Sequence, residues 1–206
     1  MIGHYDWAGG REAMLRFGTA TDPVVVAALP LFEEANRTRT FVVTLLRALA
    51  ERGIASALPD LPGQGESLVP TEAATIADMR AAFAAVPGDY TLAIRSGALL
   101  DAGDRKSRWH LAPQQGAELL RELNRLRQTS GSEDFGGNRL SDILLAELEA
   151  AATSHARTVR HETDVKAADL KVPGAPLWRR AEPDNDTALA ELLADDIAAW
   201  VRACEG

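Results

Sequence analysis

One cysteine, Cys204, is all the thiol in this 206-residue chain. A single thiol excludes an internal disulfide framework and a cysteine-based zinc site. It fits a reducing compartment, and the chain is expected to be cytoplasmic. Histidine is scarce as well: His4, His110, His155 and His161 are the four. None stands at metal-ligand spacing with Glu33-Glu34 or with Asp184 and Asp186, so no metal is expected. No apolar run approaches the ~20 residues that span a bilayer, and no charged stretch followed by an apolar one opens the chain. Positive charge is in deficit, with 22 Lys plus Arg against 30 Asp plus Glu and a formal net charge of −8. Such a surface is unfavourable for a phosphate backbone or an anionic membrane. Arg37/Arg39 and Arg179-Arg180 are too sparse to supply a basic face, so neither nucleic acid nor membrane is expected as a partner. GxGxxG and GK[ST] are both missing. Gly63 and Gly65 in DLPGQGES (60–67) therefore predict a tight turn with Ser67 as a cap, and no nucleotide cofactor is expected.

Apolar residues, at 46% of the chain, are plentiful enough for one packed core, so residues 1–206 are read as a single domain. The first 22 residues are weakly patterned: 12–20 could form an antiparallel edge strand, Gly9-Gly10 is a turn signal, and Asp22-Pro23 closes the segment. Val24 to Leu29 is a continuous apolar run, as in a strand covered on both faces. A polar loop is expected over 30–38, then a helix from Arg39 to Arg52 with Phe41, Leu45, Leu46 and Leu49 on one face and Gly53 as its stop. A strand (54–58), the DLPGQGES loop and a helix over 73–86 follow. The short strand Tyr90–Ile94 leads into a sharp turn, Arg95-Ser96-Gly97, and a small-residue helix start. Strand and helix alternate at a spacing that implies right-handed crossovers and a mostly parallel, doubly wound α/β sheet. Ligands in such sheets bind beyond the carboxyl ends of the strands. Further along, 107–111 reads as a strand and 114–128 as a polar helix with Leu119, Leu120, Leu123 and Leu126. Residues 131–138 read as a mobile connection, and a helix runs from about Ser141 to Thr153. Residues 114–153 together are expected to form a small helical cap, with the leucine stripe as its core or as a homodimer face. Strands over 156–161 and 168–172 and a helix over 187–203, with Leu189, Leu192, Leu193, Ile197, Trp200 and Val201, close the chain. Trp178, in the rigid loop between them, is expected to anchor that loop.

The segments LPLFEEANRTR, LPDLPGQGES, LAIRSGALL, RWHLAPQQGAELLRELNRLR and VPGAPLW follow one another from about Pro23 to the C-terminal helix. In that order they resemble the α/β-hydrolase superfamily. More narrowly, they resemble the second hydrolase-like family associated with the exosortase A system of bacterial exopolysaccharide and protein sorting. The resemblance implies an α/β-hydrolase-like fold, a pocket above the sheet and a cap. Fold alone is a weak warrant for activity.

The strand–turn–helix at 90–100 has the context of a nucleophile elbow, G-x-S-x-G. Here the frame is Ala93-Ile94-Arg95-Ser96-Gly97, so an arginine holds the nucleophile's place. A guanidinium stays protonated and offers no lone pair. Ser96 stands one place late and reads foremost as a helix cap; its second reading is a nucleophile. The superfamily's base follows the last strand, but 173–186 contains no histidine. His110, at the end of a strand, and His161, beside Glu162 and Asp164, are the residual candidates for a base. Asp101 and Asp104 read as charges at solvated element ends. A cation at a helix N-terminus opposes the macrodipole, so a carboxylate is expected beside Arg95, with Glu33 and Glu34 as candidates. That pairing is a structural clamp on one reading. On the other, Arg95 binds a carboxylate, sulfate or phosphate group with help from Phe32, Glu33, Glu34, Asn36 and Ser96. Three functions follow as expectations. The first is a degenerate, non-catalytic homologue binding a small, anionic ligand or a partner near Arg95. The second is an esterase or thioesterase using Ser96 with His110 or His161. The third is an interaction protein acting through the cap.

Overall fold

The computed structural model describes residues 1–19, 23–101, 103–130 and 134–206. Ala20 and Asp22 of the expected edge segment, and Gly131, Ser132 and Glu133 of the expected connection, lie outside the described residues. Among the described residues eight strands form one sheet in the order β1-β2-β4-β3-β5-β6-β7-β8. The strands are β1 (Ile2–Trp7), β2 (Gly10–Phe17), β3 (Val24–Ala28), β4 (Ala55–Pro59), β5 (Tyr90–Ile94), β6 (Ser107–Leu111), β7 (Arg157–His161) and β8 (Leu170–Val172). The β1–β2 hairpin and the β2–β4 pairing are antiparallel and all other pairings are parallel. The helices are α1 (Glu33–Glu51), α2 (Ile76–Ala85), α3 (Gly116–Ser130), α4 (Asp142–Ala150) and α5 (Thr187–Glu205).

The pleat sorts the apolar strands onto two faces. Val25, Ala27, Leu92, Ile94, Trp109 and Leu111 point into a core closed by α1 and α5. Val26, Ala28, Ala57 and Ala93 point into a second core closed by α2, α3 and α4. Alternate residues of one strand thus serve opposite layers, as runs apolar at every position require. Phe41, Leu45, Leu46 and Leu49 of α1 are almost wholly buried, each contributing about 1.5–3 kcal/mol.

Four expectations are corrected. α1 begins at Glu33, so most of the predicted 30–38 loop is helix; its apolar period starts only at Phe41, while Glu33 and Glu34 suit a helix N-terminus. β1 forms although its only buried side chain is Tyr5. Ser67 caps no helix: it donates to Glu12 (3.0 Å) and accepts from the Val69 N–H, whereas Thr75 caps α2. Phe135, in the expected mobile connection, is buried in the second core.

Residues 114–153 form the β6–β7 crossover. Leu119, Leu123, Leu144 and Leu148 face the second core. α3 also touches the turn after β5, which brings one of its faces over the carboxyl ends of the strands.

Candidate functional site

β5 ends at Ile94, and the chain turns through Arg95 with φ +54°. The sharp turn is present, and arginine is at its apex. Gly97 must be glycine, because a Cβ there would stand 2.4 Å from the Leu29 carbonyl oxygen and 2.7 Å from that of Ala28. Phe32, after β3, has φ +60°, and Ala112, after β6, has φ +48°. Among the described residues these three are the non-glycine residues at positive φ, and each follows a parallel strand at its carboxyl end. Backbone of this kind costs about 1–3 kcal/mol per residue and is kept where the surroundings force it, commonly at functional sites. The segment after Arg95 is a five-residue 3₁₀ turn, Arg95–Leu99, rather than the expected α-helix. A helix dipole is therefore no part of the site.

Arg95 is held on three sides. Its Nε and Nη2 donate to the two carboxylate oxygens of Glu34 at 3.2 and 3.1 Å. Nη2 also reaches both oxygens of Glu122 on α3, at 3.3 and 3.1 Å. The guanidinium carbon lies 5.3 Å from the Trp178 ring centroid. Trp178 comes from the 3₁₀ turn Leu177–Arg179 after β8, so it anchors its loop and floors the site at once. Burial works against the Arg95 charge, but Glu34 and then Glu122 outweigh it and hold its pKa above the ordinary value. Burial pushes the Glu34 carboxyl up, with Arg95 as the main opposing influence. Glu33 instead pairs with Arg37 one helical turn on. Asn36 is exposed and lines a separate cavity of about 130 Å³ with Arg39, Asp60 and Gln64, so α1 does not bring it to Arg95.

Two backbone N–H groups of the loop after β3 are engaged within the chain. The Leu31 N–H donates to Ser96 Oγ at 2.9 Å, and the Phe32 N–H donates to Gln64 Oε1 at 2.9 Å. Ser96 and Phe32 are both buried. The Ser96 hydroxyl thus ties the turn to the β3 loop, and it caps no helix.

The two histidines lie in different surroundings. His110 is buried within β6; its Nε2 is 3.1 Å from Asp101, which also accepts from Thr91 (2.9 Å) and pairs with Arg108 (3.2 Å). Asp101 is itself buried, contrary to the expectation of a solvated charge, whereas Asp104 is exposed. His161 ends β7, with Nδ1 3.4 Å from the Pro173 carbonyl oxygen and its ring beside Trp178. Burial pulls its pKa down, and the Pro173 carbonyl and Asp164 only partly offset this. Its Nε2 is buried without a hydrogen-bond partner.

A cleft of about 380 Å³ joins these groups, and its cationic lining is what sequence reasoning missed. Arg95, Ala112, His161 and Trp178 line it, together with Arg121 and Arg125 of α3, Arg160 of β7, Lys166 and Arg179. Within it Arg160 pairs with Asp164 and Lys166 with Glu118. Arg121, Arg125 and Arg179 form no salt bridge with a described residue. A cationic cleft thus opens on a protein of net charge −8. Its arginines come from four chain segments, and the one available signal was the α3 pair Arg121/Arg125 at i,i+4. No metal cluster is found among the described residues.

No protein-family model matches the chain, and no curated protein matches it. Solved structures do. A haloalkane dehalogenase DbeA-M1 loop variant from Bradyrhizobium elkanii aligns over 100% of this chain and 97% of its own, with TM-score 0.65 at 12% identity. Est1E from Butyrivibrio proteoclasticus, solved with ferulic acid bound, aligns over 98% of both chains, with TM-score 0.61 at 13% identity. A thermophilic esterase from Thermogutta terrifontis aligns over 100% of both, with TM-score 0.57 at 13% identity. Against epoxide hydrolase VrEH1 from Vigna radiata the chain spans 39% of that protein's length, with TM-score 0.44, and this alignment carries no argument. At such identities the likeness speaks for the fold, and it agrees with the strand order and the turn after β5: the chain has the α/β-hydrolase fold.

Proposed function

We propose that this chain is a degenerate, non-catalytic protein of the α/β-hydrolase fold that binds a small anionic ligand in the cleft over Arg95. One observation carries the reading: the apex of the elbow is a guanidinium, locked at φ +54° and paired with Glu34. A cation in that place cannot attack a carbonyl, but it can hold a carboxylate, sulfate or phosphate oxygen. The unpaired arginines of the cleft support the same reading. The α3–α4 crossover serves as the cap. The resemblance to the exosortase A-associated hydrolases adds a context in exopolysaccharide or protein sorting, and the lone exposed Cys204 suits a cytoplasmic one.

An esterase or thioesterase using Ser96 with His110 or His161 has less in its favour. The Ser96 hydroxyl is buried and engaged by the Leu31 N–H, and His110 is engaged by Asp101. A fluorophosphonate probe and a panel of short-chain nitrophenyl esters and acyl-thioesters test this. No labelling and no turnover are expected; labelling of Ser96 that is lost in Ser96→Ala would overturn the non-catalytic reading. In the same preparations, small anions are expected to raise the melting temperature of the wild type but not of Arg95→Ala.

A further inference from the structure

Positions 118, 121, 122 and 125 of α3 lie on one helix face, and all four side chains line the cleft. Glu122 is the notable member. It delivers a carboxylate onto Arg95 Nη2, yet its side chain is 46% exposed, against 18% for Glu34. Glu34 grips two guanidinium nitrogens from the buried side, whereas Glu122 reaches one from the solvent side. An exposed ion pair is worth about 0–1 kcal/mol, so Glu122 is the displaceable partner. The solvent side of Arg95 is therefore a carboxylate seat already filled by the chain's own carboxylate. Beyond it, Arg121 and Arg125 project from the same face and Arg179 from the loop after β8; none of the three forms a salt bridge with a described residue, although Arg121 senses the Glu118 carboxylate one turn back. Along the same cleft, one buried donor is unspent: Arg160 Nε has no hydrogen-bond partner. Buried polar groups are normally satisfied, and an orphan donor beside a cavity is one that a ligand could satisfy.

Building on the proposed anion-binding role, we infer that the cleft accepts a small molecule bearing two anionic groups. One replaces the Glu122 carboxylate on Arg95, and the other is held by Arg121, Arg125 and Arg179. The volume suits a small ligand, since such pockets run to ~300–1,000 Å³, and three unpaired arginines exceed what a single carboxylate needs. Glu122 then acts as a built-in competitor that keeps Arg95 paired while the cleft is empty.

Isothermal titration of the full chain with acetate, succinate and 3-phosphoglycerate tests this. The two-headed anions are expected to bind at least about tenfold tighter than acetate, as one further charge-assisted hydrogen bond allows. Arg125→Ala is expected to remove that advantage and leave acetate binding unchanged. Glu122→Gln is expected to tighten succinate binding several-fold, beyond any change in Glu72→Gln, which alters charge equally outside the cleft. Equal affinity for one- and two-headed anions, or no difference between Glu122→Gln and Glu72→Gln, would overturn the inference while an Arg95-dependent acetate signal kept the broader proposal standing. If none of the three anions binds, both fall.

Discussion

The 3₁₀ turn after β5 has a charged residue at its start and another just past its end, and the protein treats them in opposite ways. Asp101 is closed off: Thr91, His110 and Arg108 converge on its carboxylate, and the Ser154 hydroxyl donates to its backbone carbonyl. Arg95 is left open on one side, facing a cleft where positive charge outruns its counter-charges. Both are costly groups to remove from water; the Asp101 carboxylate is held by residues within ten positions of it, Arg95 by carboxylates 61 and 27 positions away. The contrast teaches that a buried charge enclosed by its partners holds the fold together, whereas one facing a cleft with surplus positive charge leaves free energy for a ligand.

Three substitutions break or sharpen that contrast. The largest effect is expected on the closed side. Asp101→Ala strips Arg108, His110 and Thr91 of a shared partner and should lower unfolding free energy by about 3 kcal/mol, seen as a fall in the urea midpoint. A loss within ~0.5 kcal/mol, the range of an ordinary surface substitution, would show that this cluster holds nothing together. Arg95→Ala should cost less, about 2 kcal/mol near neutral pH, and the loss should depend on pH. Burial raises the Glu34 carboxyl and Arg95 restrains that rise, so without Arg95 the folded-state pKa climbs further. A carboxyl raised on folding adds stability below its unfolded value, and that contribution is lost as pH rises through the folded value. The deficit of Arg95→Ala against wild type should therefore be larger at about pH 7 than at about pH 4; equal deficits would mean that Glu34 does not sense Arg95. Ser96→Ala is the smallest change. It leaves the buried Leu31 N–H without its acceptor and should cost about 1 kcal/mol in chemical denaturation. Anion binding should stay as in the wild type, because the hydroxyl faces the β3 loop rather than the cleft.

The architecture was legible where one residue type could do only one job. The apolar run that becomes β3 and the strand Tyr90–Ile94 could be satisfied only inside a covered sheet, and Gly97 could be recognised because the elbow frame demands it. β1 was not legible, because its pairing with β2 comes from backbone hydrogen bonds that leave little apolar pattern. The first turns of α1 were hidden because Glu33, Glu34 and Arg37 pair with cleft and helix neighbours instead of presenting an apolar stripe. At the site, the arginine in the nucleophile's place and a carboxylate from Glu33 or Glu34 could both be expected. The second carboxylate, Glu122, could not, since it lies 27 positions along the chain. The cationic lining of the cleft was out of reach for the same reason: Arg37, Arg39 and Arg180, judged as a sparse set, are each spent on a carboxylate, while Arg179 joins arginines from other segments.

By itself the sequence determined the α/β alternation, the strained turn and the cation at its apex, because each follows from the chemistry of residues close together in the chain. Which carboxylates meet that cation, which histidine meets a carboxylate, and where positive charge collects on an acidic protein were decided only by tertiary structure. Coulomb and hydrogen-bond partners are chosen by distance in space, and the crossovers of a parallel sheet set those distances between segments far apart in sequence.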